Sequence, residues 1–201
     1  MNNATHKTSL KTDKKILKSA QNLFWYHGHK ASSLDRIAND AGQSKGAFFH
    51  YFRNKKDITS QVLQKYAQEQ LYSPLEKHFT QNANTKEALF SWALEIYERY
   101  SANDYKGGCL LGNLGLELAD NDETARQEIA AIFLKWENQM TTYFKEDHRQ
   151  GEILMEPRQF ARMVIATLQG ITMTIKVHKD KNRAGREFQA FAEMLERMIK
   201  G

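Results

Sequence analysis

The segment from Ser32 to Phe52, SSLDRIANDAGQSKGAFFHYF, constrains this chain more than any other. Leu34, Ile37, Ala38 and Ala41 recur at helical spacing. Ser32 with Asp35 fits a capping box that starts this helix at about Leu34. Gly42 accepts the left-handed conformation that stops a helix. Ser44 then caps a second helix whose apolar face is Ala47, Phe48 and Phe52. Helix, glycine turn, helix is the arrangement that lays its second helix in a DNA major groove.

Charge points the same way. Residues 1–60 carry eleven Lys/Arg against four Asp/Glu; the remainder carries 18 against 20, in a chain whose totals are 29 and 24. The excess positive charge is confined to the N-terminal third, as expected of a DNA-binding head on a neutral body. Taken alone, the same charge fits a solvated basic face. No run of about 18 apolar residues exists, so no membrane span is expected. No apolar leader segment is visible, and the single cysteine, Cys109, suits a reducing cytoplasm.

The rest reads as helix, in keeping with only two prolines, Pro74 and Pro157. Residues 1 to about 10 are polar and expected to be mobile. Helices are expected over about 12–26, with Gly28 as a stop, then about 34–41, 45–51, and from Lys55, capped by Asn54 with Asp57 at the third position. Pro74 is expected to kink or end that fourth helix. Further helices follow over about 85–105, 110–119 and 122–148, then from Pro157, and over about 186–199. The fold class is therefore all-α with about nine helices: a helix-turn-helix domain over 1–60, then a helical domain over 61–201, which the family resemblance given below makes the effector-binding and dimerisation domain. The last two helices carry surplus apolar surface, which suggests an intermolecular four-helix bundle.

The start of the recognition helix, Gln43, Ser44, Lys45, Gly46 and Ala47, is expected to face the groove. Lys45 suits guanine or a phosphate, Gln43 suits adenine, and Ala47 suits a thymine methyl. Gly46 allows close approach. Each has a plainer role too: Ser44 as a cap, Tyr51 as half core, His50 as a turn residue.

From Ile16 to Ile58 the sequence resembles the N-terminal DNA-binding domain of TetR-type transcriptional repressors. The resemblance implies an all-helical homodimer that binds a palindromic double-stranded operator and leaves it when a small molecule occupies the C-terminal domain. It also implies phosphate contacts from Ser33, His50, Tyr51 and Lys55. Phe49 stands where that family often has Tyr.

Cys109 lies in KGGCLLGNL, where two glycines break one helix and another begins. A thiol at a helix N-terminus beside Lys106 favours the reactive thiolate. On the residues alone, a lone cysteine among leucines is more often a small buried hydrophobe. The run GGCLLGNLGLELAD resembles a TetR-type subgroup that senses electrophiles or oxidants at this cysteine, and TIKVHKDK places Lys176 where that subgroup has a lysine near the thiol. Other repressors with the same run bind small molecules reversibly. By the same resemblance the effector cavity is lined by Trp92, Tyr97, Tyr100, Trp136, Met140 and Met173; core packing is the plainer reading of each.

An enzyme using Cys109 would need a base and an oxyanion site, and neither His148 nor His178 forms a motif with it. No metal-ligand spacing or phosphate loop is present, so no cofactor and no metal are expected. A DNA-organising protein without effector, and an activator, are the other readings.

Overall fold

The computed structural model describes the backbone of residues 2–200 and the side chains of residues 12–200. The backbone of residues 2–10, expected to be mobile, is helical, while Met1 and the side chains of residues 1–11 lie outside the described residues. Among the described residues there is no strand, only an isolated bridge between Ile153 and Ile199. The helices are α1 (Asn2–His27), α2 (Leu34–Asp40), α3 (Lys45–Tyr51), α4 (Lys55–Tyr66), a π-turn (Ala67–Tyr72), α5 (Ser73–Gln81), α6 (Thr85–Ser101), α7 (Leu110–Leu118), α8 (Glu123–Arg149), α9 (Pro157–His178) and α10 (Lys181–Met198). With α4, the π-turn and α5 counted as one continuous run, nine helices are described, and the all-helical expectation holds.

The chain divides into two compact units. The first holds residues 1–67 and 110–129. Here α1 packs on α2, α3, α4 and α7. Ile16, Ala20, Phe24, Ile37, Phe48, Phe52, Ile58 and Val62 form its core, each at most 2% exposed. Ser19 Oγ on α1 lies 2.6 Å from Asp40 Oδ2 and 3.1 Å from the Ile37 carbonyl, which braces α1 against α2.

The second unit holds residues 68–109 and 130–201. Its core stacks Trp92 edge-on to Trp136 at 6.2 Å and Phe144 against Phe160 at 4.9 Å. His78 on α5 bridges Ser91 Oγ and Glu95 Oε2 on α6, both at 2.8 Å. Ser91 Oγ itself donates to the Ala88 carbonyl, so this row is a brace between helices rather than an activated nucleophile.

Five boundaries differ from the sequence reading, the first being α1, which begins at Asn2 and not at about residue 12. Ser33, not Ser32, caps α2, accepting from Arg36 N at 3.1 Å. Ser32 is fully buried and donates to the Gly28 carbonyl at 2.7 Å. Before Pro74 the chain widens into the π-turn, so the proline falls in the first turn of α5, where its missing N–H costs little. α6 ends at Ser101 rather than Tyr105, because Asp104 and Tyr105 turn left-handed. α10 begins at Lys181, five residues early, capped by Asp180.

Candidate nucleic-acid interface and thiol site

The turn between α2 and α3 is a complete Schellman arrangement. Gly42 N–H donates to Asn39 O at 3.0 Å and Gln43 N–H to Ala38 O at 2.9 Å, with Gly42 at φ +64. Ser44 Oγ then accepts from Ala47 N at 3.1 Å and starts α3. Only Phe48 of α3 is buried, so the helix turns its other side outward.

Lys45 and Gly46 are exposed, Gln43 and Ala47 half-buried. Lys45 Nζ pairs with Asp35 Oδ1 at 2.9 Å, both side chains 61% exposed. A pair so open to water is worth about 0–1 kcal/mol, so the ammonium is readily exchanged to a phosphate or a base. Exposed Ser33 uses its oxygen as a cap, accepting from Arg36 N. Exposed His50 meets the half-buried Tyr51 ring edge-to-face at 4.8 Å. Phe49, His50, Tyr51, Arg53, Asn54 and Lys56 are among the residues that line an open polar hollow of about 700 Å³. Lys55 turns inward and donates to the His29 carbonyl at 2.6 Å. Burial lowers its pKa below the usual lysine value.

Sequence reasoning missed the carboxylate that bears on this head. Glu117 of α7 accepts from the backbone N–H groups of His29 and Lys30 at 2.8 and 2.6 Å. A glutamate spaced along a leucine-rich helix gives no sign of a backbone clamp 87 residues away.

In the second unit, Cys109 closes a loop in which Gly107 and Gly108 both have positive φ. The thiol is 6% exposed, and Gln169 Nε2 on α9 lies 3.4 Å from its sulfur. Tyr100 on α6 is buried and hydrogen-bonded with Thr172; burial, and then Cys109 beside it, push its phenol well above the usual tyrosine value. Gly108 is required here, since a Cβ would stand 3.0 Å from Lys176 Cδ and 3.4 Å from the Thr172 carbonyl. The stem of Lys176 thus crosses the residue that precedes the thiol. Lys106 is exposed, and its ammonium lies 3.3 Å from Asp104. Gln169, Tyr100 and Thr172 were not foreseen, because their approach to Cys109 depends on how α6 and α9 pack.

Of the six residues expected around an effector cavity, Trp92, Trp136, Tyr100 and Met140 are buried in the second unit. Tyr97 lies on an open apolar groove of about 440 Å³ between α6 and α10, with Phe90, Leu94 and Phe188. Met173 lies on the outside of α9. It is 56% exposed, because the period of α9 groups it with Ala166, Gly170 and Val177 on the outer stripe, away from buried Val164, Leu168, Thr172 and Ile175. The indole N–H groups of Trp92 and Trp136 are buried without a hydrogen-bond partner among the described residues.

Among the described residues no cluster of side chains could hold a metal ion, and no helix is long and apolar enough to cross a membrane. Residues 16–62 match the family described as bacterial regulatory proteins, tetR family, and residues 87–191 match the tetracyclin repressor-like C-terminal domain. A helix-turn-helix transcriptional regulator from the lacX 3′ region of Lactococcus lactis is 27% identical over 85% of this chain and 86% of its own length. The transcriptional repressor DhaR of a Mycobacterium species is 25% identical over 83% of each chain. The regulatory protein TetR of Rhodobacter sphaeroides superposes with a TM-score of 0.82 at 21% identity, covering 92% of this chain and 97% of that one.

Proposed function

The chain belongs to the TetR family of helix-turn-helix transcriptional regulators, and from that premise we propose that it is a homodimeric repressor released from its operator by an electrophile or oxidant acting at Cys109. Residues 1–60 read DNA, and residues 61–201 sense the effector and dimerise. The name of the Mycobacterium relative, a repressor, supports repression. Work on DNA places the protein in the cytoplasm.

Two recognition helices in successive major grooves stand about 34–36 Å apart. Gln43 and Ala47 read base edges, with Gly46 allowing close approach, and Lys45 neutralises a phosphate beside them. Ser33, Ser44, His50, Tyr51 and Lys55 set the position on the backbone; Lys55 does so with the hydrogens its bond to His29 leaves over. The exposed stripe of Ala166, Gly170, Met173 and Val177 on α9 supports dimerisation, since such a row is an unusual thing to leave in water.

The observation that carries the sensing role is the setting of Cys109: a thiol beside the Gln169 amide and the Tyr100 phenol, at the end of a glycine loop. With a quinone, the sulfur adds to a ring carbon, the ring C=C electrons pass to the carbonyl oxygen, and proton uptake leaves a hydroquinone thioether. A ring attached at a 6% exposed position overfills packed space, and the loop must move.

A second reading, a reversible ligand with Cys109 only structural, rests on the two unpartnered indole N–H groups. A carbonyl or carboxylate on a bound ligand would satisfy such donors, which are costly to leave buried and alone.

One experiment separates the two. The purified protein is titrated against its own upstream DNA by fluorescence anisotropy, with and without 1,4-benzoquinone, beside Cys109→Ser. Release of the wild type with retention of Cys109→Ser supports the electrophile reading. Release of both sinks it, and tight binding that survives the quinone moves the effector to the indole pair.

A further inference from the structure

The turn that ends α1 is held from two sides within the first unit. On one side the Glu117 carboxylate accepts from the N–H groups of His29 and Lys30. Gly28, at φ +85, makes room for it: a Cβ would lie 3.1 Å from Glu117 Oε2. On the other side Lys55 Nζ of α4 donates to the His29 carbonyl at 2.6 Å. The His29 ring Nε2 lies 3.0 Å from Thr59 Oγ1, whose own hydrogen goes to the Lys55 carbonyl at 2.6 Å, so the ring nitrogen is the donor. The end of α1 does not need the carboxylate, because Gly28 N–H already bonds to the Phe24 carbonyl at 3.1 Å.

From this turn the contacts run on without a gap. Ser32 Oγ donates to the Gly28 carbonyl, Ser33 caps α2, and the Schellman turn carries α2 into α3. At the other end, Glu117 stands seven residues along α7 from Leu110, about 11 Å, and Leu110 directly follows Cys109. Leu110 N–H is itself held by Tyr66 Oη of α4 at 3.3 Å.

We propose that Glu117 is a positioning residue for the DNA-binding head: its carboxylate fixes the 28–30 turn, and through that turn displacement of α7 reaches the recognition helix. The proposal rests on the regulatory reading above and adds the contact through which it works. In the DNA-competent state the carboxylate holds both N–H groups; in the released state it lets go of them, and α2 and α3 lose their fixed bearing on α1.

Full-length Glu117→Ala and Glu117→Gln test it. Glutamine keeps one acceptor oxygen and loses the charge; alanine keeps neither. Amide hydrogen exchange at His29 and Lys30 should quicken about tenfold or more in Glu117→Ala and less in Glu117→Gln. Affinity for the upstream DNA should fall in the same order, by about tenfold for alanine. The ratio of dissociation constants with and without 1,4-benzoquinone, expected at fivefold or more in the wild type, should approach one in Glu117→Ala. Wild-type exchange and wild-type DNA affinity in both variants would overturn the proposal. So would a loss of melting temperature with DNA affinity unchanged, which marks a merely structural residue. If the wild type ignores the quinone, the electrophile reading fails, and exchange and DNA affinity still decide the role of Glu117. If the alanine variant does not fold, the glutamine variant carries the test.

Discussion

Replacing Gly42 and Gly28 by alanine, one at a time, isolates what each turn of the first unit costs. Both residues have positive φ, +64 and +85. That conformation costs an L-residue about 1–2 kcal/mol. Alanine also narrows the unfolded ensemble, which offsets about 0.4–1 kcal/mol. At Gly42 a Cβ meets nothing within 4 Å, so strain is the whole effect, and Gly42→Ala should cost about 1 kcal/mol. At Gly28 the same Cβ stands 3.1 Å from Glu117 Oε2. The carboxylate must shift by a few tenths of an ångström and loosen bonds to two N–H groups. Hydrogen bonds to a charged group are worth about 1.5–3 kcal/mol each, so partial loss should raise the cost of Gly28→Ala to about 2–3 kcal/mol. Urea unfolding of the full chain, read as a change in midpoint at constant slope, measures both. In a Glu117→Ala background the excess at Gly28 should vanish, leaving both substitutions at about 1 kcal/mol. Equal costs at the two positions in the wild-type background would refute the reasoning.

Ser44→Ala removes the cap of a seven-residue helix and should cost about 1 kcal/mol, with weaker DNA binding in step; an unchanged urea midpoint would count against the cap. Burial, and then Lys55, hold the His29 imidazole below the usual histidine value. A base depressed in the folded state favours folding in its neutral form, so its contribution is present above about pH 6.5 and is lost as pH falls through the lowered value. Melting temperatures from pH 8 to pH 5 should therefore drop more for the wild type than for His29→Gln, and parallel curves would contradict this. Cys109→Ser should bind DNA as the wild type does and keep it after quinone treatment, as anisotropy will show.

What the sequence made legible was local chemistry. Ser44 and Asn54 cap because a short polar side chain followed by helical spacing has one good use at each place. Gly42 and Gly28 stop helices because only glycine takes that conformation cheaply. Where two local solutions were equal, tertiary contact chose. Ser32 and Ser33 both stand where a cap belongs; burial of Ser32 under the Gly28 carbonyl left Ser33 to do it. The end of α6 was hidden because Asp104 and Tyr105 are not glycine, and Tyr105 is drawn inward to 6% exposure. The exposure of Met173 was not legible because α9 is apolar on two sides, and the sequence does not say which side faces the core. Glu117 left no mark in sequence, since what it holds is backbone, which every residue has.

The most direct test of the account is the salt dependence of binding to the upstream duplex, followed by anisotropy for the wild type and Lys45→Met. The logarithm of affinity should fall linearly with the logarithm of salt, by about 0.9 for each phosphate neutralised. Lys45→Met should make that slope shallower by about one for each recognition helix engaged. A complex indifferent to salt, or a Lys45→Met variant with the wild-type slope and affinity, would contradict the assignment of α3 as the helix that meets DNA.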